Sequence, residues 1–304
     1  EAFSVFGEVV EKDGSEQSAI ELGISVEEKS KRVFLNGDKA GDVSRYLRIF
    51  PTVPFVPRDV DIVYGSPSGR RKFLDRYIAL LFPKALNALQ SYQKIIRNKN
   101  AILKNYPVDE RQLASLNTLV ALYSATIMQT RQELITALLP YMQEYYSELA
   151  EHDGQVGVLL EETFLTHGSS ERTAKSYEDV LSQVMKRERE RRSSLVGPHM
   201  DDLLFSLGGR SARQYSSQGQ ARSIVLALIL AVVQVIKEKL EITPTLLLDD
   251  FSSELDRGRM SRFFDLLKGN SHQVFVTGTD LSSSNLGASD CARFHVNQGA
   301  ITPL

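Results

Sequence analysis

Thr245-Leu246-Leu247-Leu248-Asp249-Asp250 is the stretch whose reading decides the fold. A short apolar run of this kind reads as a strand buried in a parallel sheet. It delivers two carboxylates at its C-terminal end, where open α/β sheets bind ligands. One carboxylate can hold Mg²⁺ through water, and the next can polarise an attacking water. Alone, the stretch reads equally as an ordinary strand followed by an Asp-rich turn.

Upstream, Ser217-Gln218-Gly219-Gln220 immediately precedes an apolar helix that reaches Ile236. A hydroxyl, a glycine and free backbone N–H groups at a helix start form an anion site. The same residues also suit a plain serine N-cap. Downstream, Ser253-Glu254-Leu255-Asp256 reads as a helix-entry loop. A second buried strand, Gln273–Val276, ends in Thr277-Gly278-Thr279, whose hydroxyls can meet a terminal phosphate.

Further out, the chain divides into three parts: 1–65, 66–194 and 195–304. The first reads as short antiparallel strands over Phe3–Val10, Ala19–Val26 and Arg32–Leu35, half-buried, with a polar hairpin loop at 11–17 and an Asn36-Gly37 turn. The second carries apolar residues at helical spacing from Phe73 to Leu103 and from Leu113 to Leu149, which predicts two long packed helices. Pro107 separates them and Pro140 is expected to kink the second. A third helix is expected over Ser176–Ser193 and ends in a charged run, 186–192. The third part returns to mixed α/β. A β region, a helical excursion and an α/β region together describe a helical arm inserted into one ATPase-like head.

Composition bounds the function. The chain has 304 residues, 42% hydrophobic and 24% charged, as a soluble core-forming protein does. One cysteine excludes a disulfide scaffold and suits a reducing, cytoplasmic setting. The five histidines show no ligand spacing. Ile224–Val233, the longest apolar run, is about ten residues, short of the roughly 18–20 that span a bilayer, so no membrane partner is expected. With a net charge of −2, nucleic-acid contact must come from local basic patches. Three candidates are Arg70, Arg71 and Lys72; then Lys94, Arg97, Lys99 and Lys104; then Lys186, Arg187 and Arg189. The last run alternates with Glu188 and Glu190 and reads equally as a solvated, salt-bridged helix face. No aromatic interleaves these charges, so backbone recognition is expected rather than base stacking.

The order of motifs resembles the C-terminal half of an ABC-type ATPase head, a P-loop NTPase fold. Gly65–Asp75, Arg97-Asn98, Gly197-Pro198-His199-Met200-Asp201-Asp202 and the paired aspartates narrow that resemblance to the RecF family of recombination mediators, over nearly the whole chain. The resemblance implies an ATP-dependent homodimer that binds duplex or gapped DNA in replication, gap repair and SOS induction, with RecR, RecO and RecA as partners. It implies Mg²⁺ at Asp249, a catalytic role for Asp250, and a signature at Ser217, Gln218, Gly219 and Gln220 that contacts the nucleotide of the opposite subunit. It also implies a D-loop at Ser253, Glu254 and Asp256, and a switch position at Thr277 or Thr279.

Two departures stand out. Met200 occupies a position where the family has arginine, and no Gly-x-x-x-x-Gly-Lys-Ser/Thr occurs in these residues. The expectation is a chain without its first segment, poor in ATP binding as it stands. A scaffold that binds partner proteins through its helical arm and never hydrolyses ATP is the alternative.

Overall fold

The structure is a computed structural model. It describes every residue except 1–2, 14–15, 28–29, 41–42, 106–108, 151–153, 170, 252–254, 269–272 and 280–290. The chain opens with an antiparallel sheet in the order β1 (Phe3–Asp13), β2 (Glu16–Glu27), β3 (Ser30–Leu35), β4 (Asp38–Lys39). Asn36 and Gly37 both take positive φ, the two-residue turn that matches strand twist. The hairpin between β1 and β2 is tighter than expected, with Asp13 paired to Glu16. Half-burial holds on β2 and β3, where Leu22 is buried and Ile24, Val26 and Val33 are half-buried, but not on the edge strand β1, where Phe3, Val5, Phe6 and Val10 are exposed.

After α1 (Val43–Ile49), strand β5 (Thr52–Phe55) leads through a 3₁₀ turn at Pro57–Val60 into α2 (Asp61–Tyr64). The helical section follows as α3 (Pro67–Leu81), α4 (Pro83–Lys104) and α5 (Glu110–Ala150). The first expected long helix is therefore two, because Pro83 has no N–H to continue α3 and instead starts α4. The second runs 41 residues through Pro140 as one helix. Next come β6 (Val156–Glu161), α6 (Thr163–Thr166) and α7 (Ala174–Arg191). β7 (Asp202–Leu207) and β8 (Arg210–Ser211) join β6 in a three-stranded antiparallel sheet.

α8 (Ala212–Tyr215) then introduces α9 (Gln218–Leu240), β9 (Thr245–Leu248), α10 (Arg257–Leu267), β10 (Val274–Val276) and the hairpin β11 (Phe294–Asn297) and β12 (Ala300–Pro303). By length and composition α9 could cross a membrane, but it is the central core helix, buried from Ser223 to Val233 and packed on α5. The apolar core is continuous, joining α3, α4, α5, α7, α9 and β9.

Around the decisive strand lies a parallel sheet in the order β10-β9-β5. β5 was not legible as a strand because Pro54 lies within it. The carbonyls of Pro51 and Phe55 accept from Thr245 and Asp249 at 2.9 Å, so odd residues face β9 and the donor that Pro54 lacks points away from the pairing. Burial of this sheet is one-sided. Leu246 and Leu248 are buried, while Leu247 and Phe275 are exposed on the other face.

Candidate functional site

At the carboxyl edge of the parallel sheet, β9 and β10 are stitched together by Thr277. Its N–H donates to the Leu248 carbonyl at 2.8 Å, and its own carbonyl accepts from Phe251 N–H at 3.0 Å. Its hydroxyl donates to Asp249 Oδ1 at 2.7 Å and accepts from Asp250 N–H at 2.9 Å. The hydroxyl proton is thus committed to Asp249 and not left for a phosphate. Asp250 takes φ +46°, a left-handed conformation uncommon outside glycine, asparagine and aspartate. The turn that results leaves Asp249 exposed and drives Phe251 into the core, where it meets Phe55, Phe263 and Phe264. Thr279 is exposed. Ser253 and Glu254 lie outside the described residues.

The helix tip at Ser217 closes on itself. Ser217 Oγ accepts from Gln220 N–H at 3.2 Å, and Gln220 Oε1 accepts from Ser217 N–H at 2.8 Å, a reciprocal capping box. Tyr64 anchors the approach by donating to the Ser216 carbonyl at 2.9 Å. A Cβ on Gly219 would stand 2.3 Å from Arg259 Nη1, so the Arg259 guanidinium lies against the open face of this glycine. Arg259 sits in the first turn of α10, where Asp256 caps its N–H at 2.9 Å and faces its Nη1 at 3.4 Å. The fold therefore joins Asp256 to the Gly219 tip through Arg259, a residue that the motifs alone did not single out.

Mg²⁺ can be tested against this chemistry. Among the described residues no cluster of three or more metal-binding side chains exists, so a protein-only cage is absent. Asp249, with one oxygen committed to Thr277, fits the sparse set that Mg²⁺ takes when phosphate oxygens and waters complete its shell.

The basic patches need correction. Arg70 is buried, gripping both oxygens of Asp202 at 2.6 and 2.8 Å and the Gly65 carbonyl at 2.9 Å. Arg71 donates to the Asp201 carbonyl at 2.7 Å. Lys99 is 0% exposed and pairs with the equally buried Glu188 at 2.8 Å. None of Arg70, Lys99 and Glu188 reaches solvent, because each satisfies another group in the interior. Glu188 is correspondingly no part of a solvated face. Lys72, Lys94, Arg97, Lys104, Lys186 and Arg187 are exposed, and Arg189 is ion-paired with Glu110.

The Gly197–Asp202 segment also turns inward. Gly197 takes φ +128°, and a Cβ there would meet Tyr92 Oη at 2.4 Å. Buried Arg131 holds Asp75 at 2.7 Å, the Pro198 carbonyl at 2.9 Å and Asp201 at 3.6 Å. Asp201 accepts the Thr163 N–H and hydroxyl, both at 2.8 Å. Burial pushes the Asp201 carboxyl up to about 6. It pushes His199, bonded to Tyr92 at 2.6 Å, down to about 4, with Lys99, Arg71 and Arg131 adding to the effect. Met200 is 47% exposed and takes no part in this interior network.

No protein-family model matches the chain. Curated relatives do. The DNA replication and repair protein RecF of Citrifermentans bemidjiense is 33% identical over 306 residues, covering 98% of this chain and 81% of the relative. RecF of Streptococcus equi subsp. zooepidemicus is 32% identical over 289 residues, covering 93% of this chain and 76% of the relative. A solved structure of the recombination mediator RecF with ATP, from the RecFOR pathway, superposes with a TM-score of 0.86 at 27% identity, over 100% of this chain and 80% of that one. An α/β ABC-type ATPase head with a helical insert, the paired aspartates at its sheet edge and these relatives agree: the chain belongs to the RecF family of DNA replication and repair proteins.

Proposed function

We infer that this protein is an ATP-switched DNA-binding mediator of recombination that works as a head-to-head homodimer. The observation that carries the reading is the sheet edge where Asp249, Asp250 and Thr277 meet at the end of a buried strand. The RecF relative bound to ATP supports the choice of nucleotide. Asp249 would hold Mg²⁺ alongside nucleotide phosphates, and such an ion would supply charge neutralisation for the transferring phosphoryl group. Asp250, held in its left-handed turn, orients and polarises the attacking water. Ser217, Gln218, Gly219 and Gln220 complete the site of the second copy with the positive end of a 23-residue helix. Asp256, with Ser253 and Glu254 before it in sequence, is assigned the D-loop role, and Thr277 or Thr279 the switch role.

Neither half-site grips a triphosphate alone, so ATP acts as glue and hydrolysis releases the pair. DNA contact follows dimerisation, since two modest basic surfaces then form one longer track whose affinity is salt-dependent. RecR, with RecO and RecA downstream, are the partners in this reading, at gapped or junction DNA. Sedimentation of the full-length protein tests it. ATP is expected to shift the parental protein and Asp250→Asn to dimers, with turnover lost in Asp250→Asn, while Ser217→Arg stays monomeric. A shift of Ser217→Arg to dimers with ATP, as in the parental protein, sinks the composite site. Because these residues lack a Gly-Lys phosphate loop, a scaffold that never hydrolyses ATP is the rival; parental turnover rules it out.

A further inference from the structure

The loss of Arg70 and Lys99 from the surface raises the question of which cations remain available. Three cations that make no close salt bridge among the described residues line a single concavity. Arg58 of the 3₁₀ turn and Lys72 and Arg76 of α3 line a cavity of about 290 Å³ at the N-terminal end of α3. All three are exposed, and among the described residues none forms an ion pair. Asp59 and Asp61 share the same wall, and Arg76 lies close enough to Asp59 to favour its charged form without a salt bridge. Asp59 is spent on structure: its Oδ2 accepts the Val56 N–H at 2.9 Å and closes the 3₁₀ turn. The neighbouring arginines show the contrast, for Arg70 and Arg71 turn inward to Asp202 and Asp201 while Lys72 and Arg76 turn to the cavity.

The rest of the lining suits an anion as well. Ser66, the N-cap of α3, does not cap the helix with its side chain; its hydroxyl bonds that of Ser68 at 2.8 Å. Both hydroxyls line the cavity. A Cβ on Gly69 would meet nothing within 4 Å, so the mouth stays open. The apolar lining, Ile62 and Phe73, is buried and offers no exposed ring on which a base could stack. Cations and hydroxyls without a stacking face fit a phosphate group and not a nucleoside.

We propose that the Arg58–Lys72–Arg76 cavity is a seat for a backbone phosphate of duplex DNA. It rests on the DNA-binding reading above and adds to it the place of contact. Arg58 and Arg76 enter as DNA-contact residues that the sequence patches did not include.

Fluorescence anisotropy with a labelled blunt duplex, titrated with the full-length protein and ATP across a salt series, tests the seat. Lys72→Glu/Arg76→Glu is expected to lose roughly tenfold or more in affinity, and the log–log salt slope is expected to flatten by about 2. Arg58→Glu, on a separate element, is expected to shift the slope by about 1 in the same direction. Lys31→Glu on β3 controls for net charge and is expected to keep the parental slope. If both cavity variants bind duplex with parental affinity and slope, the seat is disproved while the DNA-binding reading stands. If they lose ATP binding in equilibrium dialysis but keep the duplex slope, the cavity serves a free nucleotide and the proposal is overturned. If the parental protein itself fails to bind duplex, the DNA-binding reading falls and takes the seat with it. Far-ultraviolet circular dichroism confirms that each variant is folded; all four changed side chains are exposed.

Discussion

Thr277 donates its hydroxyl proton to Asp249 Oδ1 at 2.7 Å across 28 residues of sequence. The two strand ends are thereby locked, and the Asp249 carboxylate keeps one fixed orientation at the sheet edge. Replacing Thr277 with valine keeps the shape and removes that bond. We expect a loss of about 1 kcal/mol, since the site is exposed to water, measured as a lower urea midpoint. Nucleotide binding of the full-length protein is expected to need more Mg²⁺ in Thr277→Val and to recover in Thr277→Ser. An unchanged Mg²⁺ titration in the valine variant would show that Asp249 does not need this partner.

The Lys99–Glu188 pair is a buried bridge between α4 and α7, both side chains 0% exposed. Glu188 Oε1 also accepts Ser194 Oγ at 3.1 Å and Leu195 N–H at 3.0 Å. Lys99→Met strands a buried carboxylate and is expected to cost about 3–5 kcal/mol. Lys99→Met/Glu188→Leu is expected to recover most of that loss. Urea denaturation of the full cycle measures the coupling, and additive single-variant effects would mean the pair carries none.

Gly219→Ala places a methyl group where Arg259 now lies, 2.3 Å from Nη1. The helix backbone accepts alanine, so the clash is the whole effect. We expect a modest loss of about 1 kcal/mol or less, because a flexible guanidinium can move aside. In Arg259→Ala the same Gly219→Ala change is expected to be neutral or slightly stabilising, as alanine is the better helix former. Thermal unfolding of the four proteins decides the matter; a full-sized loss in the Arg259→Ala background contradicts the contact.

His199 and Asp201 act in opposite senses on pH-dependent stability. His199, lowered from 6.5 to about 4, supports the fold above its unfolded value and withdraws that support as pH falls through about 4. Asp201, raised from 3.8 to about 6, supports the fold below its unfolded value and withdraws that support as pH rises through about 6. Their slopes offset each other between about pH 4 and 6. Asp201→Asn removes one of them. Its stability is expected to fall more steeply than the parental protein's as pH drops through that window, read from urea midpoints at successive pH values. Parallel profiles would refute the assignment.

Much of this molecule was legible from local pattern. The run Thr245–Leu248 matches β9 residue for residue, because a threonine and three leucines between a proline and two aspartates leave little choice of boundary. Ser217 with Gln220 marked the start of α9 for the same reason, a capping signal contained within four residues. Asn36-Gly37 marked its turn. What failed did so where a nonlocal partner decided the outcome. Strand β5, with Pro54 inside it, carries no local strand signal, and only its place beside β9, with the bonding side turned away from Pro54, makes it one. Glu188 looked like one charge in an alternating surface run, and only Lys99, 89 residues away, shows that it is buried.

By itself, the sequence determined which residue types stand at which element ends: two acids after a buried strand, a capped glycine-bearing tip before a core helix, and a hydroxyl after the next strand. Those are short-range facts of hydrogen bonding and periodicity, and they need no partner. The tertiary structure alone decided which hydroxyl meets which acid, that Arg259 covers Gly219, and which cations are free to leave the protein. The physical reason is that a charge's role depends on whether an opposite charge is folded against it. Arg70 and Lys72, two residues apart in the same helix, differ in nothing local, and only Asp202 separates the buried clamp from the open cation.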